Sequence, residues 1–201
     1  GFCPLWVKNI FLLLVSLFFY AWGEPKFICM LIFSILFNWL CGLLIHQYQK
    51  KEKKKIPKII LIISILVNIG LLFIYKYLLF TKGIFTALTH MEITLPNIVL
   101  PVGISFFTFQ ALSYVIDVYR GTSAVQKNPL YLGLYISFFP QLVAGPIVRY
   151  NTIAAEIKNR KTTLDDFCSG FSRFIIGLGK KALLADQLAL VADRAFTMQP
   201  Y

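Results

Sequence analysis

The stretch of this chain with the most chemical potential runs from Pro101 to Gly121, PVGISFFTFQALSYVIDVYRG. Gln110, Ser113 and Asp117 follow Phe106 at steps of three and four, which sets them on one face of a helix. An amide, a hydroxyl and a carboxylate on one stripe can bind a polar group or pass a proton. Hydrocarbon offers them no partner, so the stripe should face protein or water. Pro101 suits a first helical position and Gly121 a stop. Asp117 lies three residues before Arg120, the spacing of an ion pair, and pairing is favoured over substrate contact for it. Gln110, deeper in the run, is the better candidate for a cavity wall. A second polar set, Gln141 and Arg149, brackets Ala144-Gly145-Pro146, a break whose freed backbone groups need protein or water.

Other chemistries find little support. His46 closes an apolar run beside Gln47 and Tyr48, His90 sits between Thr89 and Met91, and both read as structural. Cys3, Cys29, Cys41 and Cys168 form no C-x-x-C pair and mostly lie within apolar runs, so they read as small buried hydrophobes and not as a disulfide or metal set. Gly177 to Ala182 matches G-x-G-x-x-A but lacks the strand and the acid that a dinucleotide site needs. No P-loop, zincin or nucleophile-elbow motif occurs. No catalytic residue and no metal ligand is assigned.

The elements that position these residues are membrane segments. Of 201 residues 58% are hydrophobic and only 14% charged, well below the quarter usual in soluble domains, which implies an all-α polytopic membrane protein with re-entrant segments. Spans are expected near 5–21, 27–45, 59–79 and 102–119, a re-entrant hairpin near 130–147, and helices at 167–178 and 182–196, all in one integral-membrane domain. Trp22-Gly23-Glu24-Pro25 breaks the first span from the second, and residues 81–94, with little basic charge, read as an outside loop. Leu95 to Pro101, bracketed by prolines, is too short to span. In the third span Asn68 offers an amide to a neighbouring helix and Gly70 lets that helix approach.

Twenty basic residues against nine acidic give a net charge of +11. The excess sits between apolar runs, so it speaks for orientation and contact with anionic headgroups of membrane lipid, not for nucleic acid. The densest cluster, Lys50 to Lys55 with Lys58, places that loop in the cytoplasm, and is read as an orientation signal ahead of a phosphoinositide patch. The first residue then lies on the cytoplasmic side. Arg149, Lys158, Arg160 and Lys161 also prefer the inside, which argues that 130–147 returns without crossing.

Four ordered stretches carry a resemblance: Phe19 to Pro25, Pro101 to Gly121, Phe138 to Tyr150, and Gly177 to Phe196 with its Lys-Lys and Ala-Asp pairs. Together they resemble the membrane-bound O-acyltransferases, in the subgroup typified by the bacterial alginate O-acetyltransferase membrane subunit. The resemblance implies a ring of helices around a funnel and transfer of an acyl group, typically acetyl, from a thioester to a hydroxyl of an exported or cell-surface polysaccharide such as alginate. It implies no bound cofactor; acetyl-CoA or an acyl carrier serves as co-substrate. The expected partners are the polysaccharide acceptor, the acyl donor and other envelope-polymer modification proteins, and the expected location is the plasma (inner) membrane, multi-pass. Gln110, Ser113, Asp117, Gln141 and Arg149 become candidates for the funnel wall or substrate path. The family's catalytic histidine stands in a later, tryptophan-flanked segment, and neither His46 nor His90 matches its context, so the chain is expected to be an amino-terminal part lacking its chemistry. From the residues alone, a transporter or flippase with broken helices, or a truncated scaffold of a surface-polymer complex, remains open.

Overall fold

The computed structural model describes residues 4–53, 55–89, 99–143, 145–161 and 163–197; among these it is all α, as expected, with no strand. His90 and most of the proline-bracketed stretch before Pro101 lie outside the described residues. Contacts group the chain into two compact units, residues 1–159 and 160–201.

The first unit is built on three helices long and apolar enough to cross a membrane: Leu5–Gly23 (α1), Ile28–Lys50 (α2) and the unbroken run Lys55–Leu88. That run comprises α3 (Lys55–Leu72), a π turn (Phe73–Tyr77) and α4 (Leu78–Thr89). Residues 81–89, expected in an outside loop, are therefore helical: nothing between Leu72 and Thr89 forces a stop, since no proline intervenes and Gly83 alone costs a helix only about 1 kcal/mol. The remaining helices are α5 (Ile104–Arg120), α6 (Pro129–Ser137), α7 (Phe139–Leu142) and α8 (Tyr150–Asn159).

The three long helices turn apolar side chains outward and bury polar ones beside the apolar core. Phe11, Leu14 and Phe18 of α1, Ile32, Phe33 and Leu36 of α2 and Ile59, Ile63 and Leu66 of α3 face outward, while Asn9, Ser16, Asn38, Ser64 and Asn68 are buried. Lipid rewards that arrangement, since it solvates apolar side chains and leaves polar ones to find each other. Asn38 and Asn68 exchange amide hydrogen bonds of 3.1 and 2.8 Å between α2 and α3, and Ser64 Oγ donates to Asn38 Oδ1 at 3.2 Å. The chain is a membrane protein.

Asn68 thus does what its position predicts, whereas Gly70 does not: a Cβ there would meet nothing within 4 Å. The close approach is at Gly42 of α2, where a Cβ would lie 2.9 Å from the Tyr114 ring and hydroxyl of α5. Cys29 is exposed on α2 and Cys168 is exposed in the second unit, so of the described cysteines only Cys41 is buried as expected. Apolar helices in this protein have an outer face, and a cysteine in an apolar run can fall there.

Side-chain contacts order the two ends of the unit. Gln49 of α2 meets Tyr119 of α5, Asn9 of α1 meets Ile157 of α8, and Gln126 meets Tyr150. Lys8, Lys50, Lys51, Lys53, Lys55, Arg120, Lys127 and Lys158 neighbour those contacts in sequence and collect at one end. At the opposite end Tyr20 packs edge-on to Phe107 at 6.4 Å, Phe27 meets Tyr75 at 5.7 Å, and Lys76 Nζ donates to Ser105 Oγ at 3.4 Å.

The second unit is a long helix, α9 (Leu164–Lys180), a π turn (Lys181–Ala185) and α10 (Asp186–Thr197), without the gap expected between 178 and 182. Thr163 and Asp166 form a capping box: Asp166 N donates to Thr163 Oγ1, and Asp166 Oδ2 accepts from Thr163 N at 3.0 Å. The bonds that Oδ2 accepts from Thr163 N and from Thr163 Oγ1, the latter at 2.7 Å, hold the Asp166 carboxyl below the usual carboxylate range. Lys181 pairs with Asp186 across the π turn at 3.1 Å. Gly177 to Gly179 are helical, so the G-x-G match forms no phosphate loop.

Candidate functional site

α5 is the buried axis of the first unit. Only one of its faces looks polar in sequence, yet ten of its seventeen residues are buried, among them Phe107, Ala111, Tyr114, Val115 and Val118. It packs against α2 and α3 and touches α6, which lies mainly against α1 and α2. Its ends are set by backbone conformation. Gly121 has φ 74° and closes a Schellman turn, with Gly121 N donating to Val118 O and Thr122 N to Asp117 O. Pro101 is not the first helical residue: the helix begins at Ile104, after Gly103 turns the chain at φ 74°. A Cβ on Gly103 would lie 2.7 Å from the carbonyl oxygen of Leu142, which is why the turn needs glycine there.

The contact with Leu142 belongs to a hairpin built from α6, α7 and residues 145–149. α6 starts well, with Asn128 Oδ1 accepting from Leu130 N at 2.9 Å and Pro129 in the first turn. It stops at Ser137 because Pro140 has no N–H and its ring opposes the carbonyl four residues back. Nine residues rise about 13 Å, under half a hydrocarbon core. From Leu142, beside Gly103, the chain returns toward the other end of α5. Tyr135 Oη donates to Val148 O at 2.7 Å, and Tyr150 packs edge-on to Tyr135 and Tyr114 at 5.2 and 5.3 Å. Gln126, ahead of α6, donates through Nε2 to Tyr150 Oη and through its backbone N–H to Tyr114 Oη at 3.0 Å. The segment enters and leaves at the same end of α5.

Breaking a helix at depth frees backbone groups, and the polar side chains found in the sequence collect on them. Gln110 Nε2 donates to Tyr135 O at 2.8 Å, and Gln141 Nε2 donates to the same oxygen at 3.3 Å. Phe139 N–H is taken by Ser16 Oγ of α1 at 3.4 Å. Two of the five candidates, Gln110 and Gln141, are thereby brought together. Ser113 Oγ, half-buried, donates to Gln110 O at 2.8 Å.

Asp117 stands two turns from Gln110 and is 4% exposed. Its Oδ1 accepts from Thr122 Oγ1 at 3.3 Å, while Oδ2 is buried without a hydrogen-bond partner. The expected ion pair with Arg120 does not form: the Schellman turn ties Asp117 to Thr122, and Arg120 is exposed beyond it. Arg149 is exposed on the returning limb. His46 is exposed at the end of α2. Among the described residues no group of His, Cys, Asp and Glu is placed to hold a metal ion.

Sequence reasoning missed the tyrosines. Tyr114, Tyr135 and Tyr150 are the largest fully buried side chains of the unit and tie α5 to both limbs of the hairpin. A tyrosine within an apolar run that is followed by a proline break was the available signal, since a buried hydroxyl needs a partner that broken backbone can supply. Also missed were two clefts. One, of about 780 Å³ at the basic end, is lined by Gln49, Glu52, Lys53, Pro57 and Tyr119. The other, of about 670 Å³ and almost wholly apolar, is walled by Phe18, Phe19, Tyr20, Trp22, Val102 and Val143. None of the five candidates lines either.

Comparison with known proteins bears out the resemblance drawn from the sequence. The chain is 36% identical over 196 residues to a protein named probable alginate O-acetylase AlgI from Pseudomonas syringae pv. tomato, covering 96% of this chain and 38% of that protein. The protein of the same name from Pseudomonas aeruginosa is 34% identical over 196 residues, covering 96% and 37%. A peptidoglycan O-acetyltransferase from Helicobacter pylori is 34% identical over 220 residues, covering 96% and 41%. The chain thus spans about two-fifths of the length of the curated relatives it matches. No protein-family model and no solved structure matches it.

Proposed function

We infer that this chain, a relative of the alginate and peptidoglycan O-acetyltransferases over nearly its whole length, is a membrane-embedded part of an O-acyltransferase. The single observation that carries the reading is similarity along 96% of the chain to proteins all named for O-acetylation of a polysaccharide. The reaction moves an acyl group, acetyl in the simplest case, from a thioester to a hydroxyl of an exported or cell-surface glycan. Acetyl-CoA or an acyl carrier supplies the group, and other envelope-polymer proteins work beside it. Thioesters are made in the cytosol and the glycan lies outside, so the work belongs in the plasma membrane, with the basic end of the first unit in the cytoplasm. A hairpin that enters and returns at one end thins the barrier between the two compartments, and its broken backbone is satisfied by Gln110, Gln141 and Ser16. In this reading Ser113, Asp117 and Arg149 stand along the donor's side of the path, and Gln110 and Gln141 shape its wall.

The test is acetyl transfer by the complete protein in sealed membrane vesicles, supplied with labelled acetyl thioester on one side and polysaccharide on the other. Labelled ester on the glycan is expected. Absence of transfer with alginate, peptidoglycan fragments and other glycans, with either a coenzyme A or a carrier-protein thioester, would overturn the reading.

A further inference from the structure

The cleft at the basic end has the makings of a ligand site that no polar stripe in the sequence announced. It lies where the end of α2, the turn to α3, the first turn of α3 and the end of α5 meet. Gln49 Nε2 donates to Tyr119 O at 2.8 Å and ties two of those walls together. Between Lys50 and Lys58 the sequence carries six lysines and one glutamate. Lys50 and Lys51 have a structural reason to be there, as cations at the C-terminus of α2, and Lys51 Nζ already rests 6.0 Å from the Tyr48 ring. Lys53 has no such reason. It stands past the helix end, on the cleft wall.

The turn that carries Lys53 into the cleft is strained. Glu52 has φ 56°, in the left-handed region that favours glycine, and Glu52 N and Lys53 N donate to Gln49 O and Tyr48 O. This is the same Schellman closure that Gly121 makes on α5, built here without the glycine. The side chain kept at that costly position adds a carboxylate to the cleft. Among the described residues the wall presents the Lys53 ammonium, the Glu52 carboxylate, an amide oxygen on Gln49 and a tyrosine, in a space of about 780 Å³. That volume lies within the range of small-molecule sites and exceeds what a bare phosphate fills.

We propose that this cleft binds a phosphate ester whose organic part carries hydrogen-bond donors. The phosphate sits against Lys53, and the hydroxyl or amino groups of the organic part donate to Glu52 and Gln49 Oε1, with Tyr119 and Pro57 as its apolar walls. Two sources present that chemistry at the cytoplasmic face: the headgroup of a phospholipid, and a soluble phosphorylated thioester donor. The second source rests on the acyltransferase reading and the first does not.

Binding distinguishes them without any assay of transfer. The complete protein is placed in nanodiscs of phosphatidylcholine and titrated with coenzyme A, and separately its retention of phosphatidylglycerol from mixed nanodiscs is counted by native mass spectrometry. Lys53→Gln should weaken one of the two about fivefold, as expected for one lysine at an anionic site, while Lys53→Arg retains binding. Lys51→Gln, one of the same cluster but off the cleft wall, should leave both unchanged. Selective loss of phosphatidylglycerol identifies a lipid headgroup, and selective loss of coenzyme A identifies the donor. The proposal is overturned if a normally folded Lys53→Gln protein binds both probes like the wild type, or if Lys51→Gln weakens binding as much, since that is diffuse surface attraction.

Discussion

Gln110 shows how a residue chosen for chemistry can be held first by backbone. Its amide is 3% exposed and donates to the Tyr135 carbonyl, an acceptor that exists only because α6 stops before Pro140. Removing the donor to a buried carbonyl costs about 1–3 kcal/mol when the acceptor is left without a bond, and here the longer bond from Gln141 stays to offset part of that. Gln110→Leu should therefore lower the free energy of unfolding in detergent by about 1 kcal/mol or more, and Gln141→Leu by less, since its bond is longer and half-exposed. Equal losses from the two would show that they share the carbonyl equally and that the shorter bond is not the stronger. The type and depth of Gln110 were legible in the sequence, and so was its need for a partner. That the partner is a carbonyl twenty-five residues on was not, because helical periodicity reports a face and says nothing of what the face meets.

At the scale of elements, glycines separate helices that pack from helices that face lipid. Gly42 and Gly70 both sit inside apolar helices, and nothing local tells them apart. At Gly42 an added methyl meets the Tyr114 side chain at 2.9 Å, and that tyrosine's hydroxyl accepts from Gln126 at the mouth of the hairpin. At Gly70 the methyl meets nothing. Gly42→Ala should destabilise by about 1–3 kcal/mol through overpacking, whereas Gly70→Ala should be neutral or stabilise by up to about 1 kcal/mol through helix propensity. Chemical unfolding of the two variants in mixed micelles checks the contrast, and a neutral Gly42→Ala would mean that α2 and α5 are looser than these distances. The first three long apolar helices were readable because about twenty apolar residues admit few alternatives. Their extents beyond the apolar window were not, as α4 shows, since a helix ends only where capping or tertiary contact ends it.

For the molecule as a whole, charge and contact agree. Lys127, which precedes the hairpin, and Lys158, which follows it, neighbour residues that meet at one end of the first unit, the end that also holds Lys51. Lys26 lies at the other, between α1 and α2. Cysteines introduced singly at 51, 127 and 158 should thus react with an impermeant maleimide from the same side of sealed vesicles, and one at 26 from the opposite side. Labelling of 127 and 158 from different sides would show that 130–147 crosses the membrane and would dismantle the hairpin.

By itself the sequence determined that the chain is helical and membrane-bound, where its first spans lie, which end of them is basic, and which relatives it resembles. Those properties follow from composition, from apolar runs of bilayer length and from ordered motifs, all of them local or additive along the chain. Only the tertiary structure decided that Gln110 and Gln141 share one carbonyl, that Asp117 turns to Thr122 and not to Arg120, and that Tyr119 completes a cleft begun at Gln49. Each of these joins groups across a turn or between helices. Which polar groups meet there depends on how helices rotate and dock, and in lipid that is settled by the mutual satisfaction of polar groups and close packing, not by any pattern one helix carries alone.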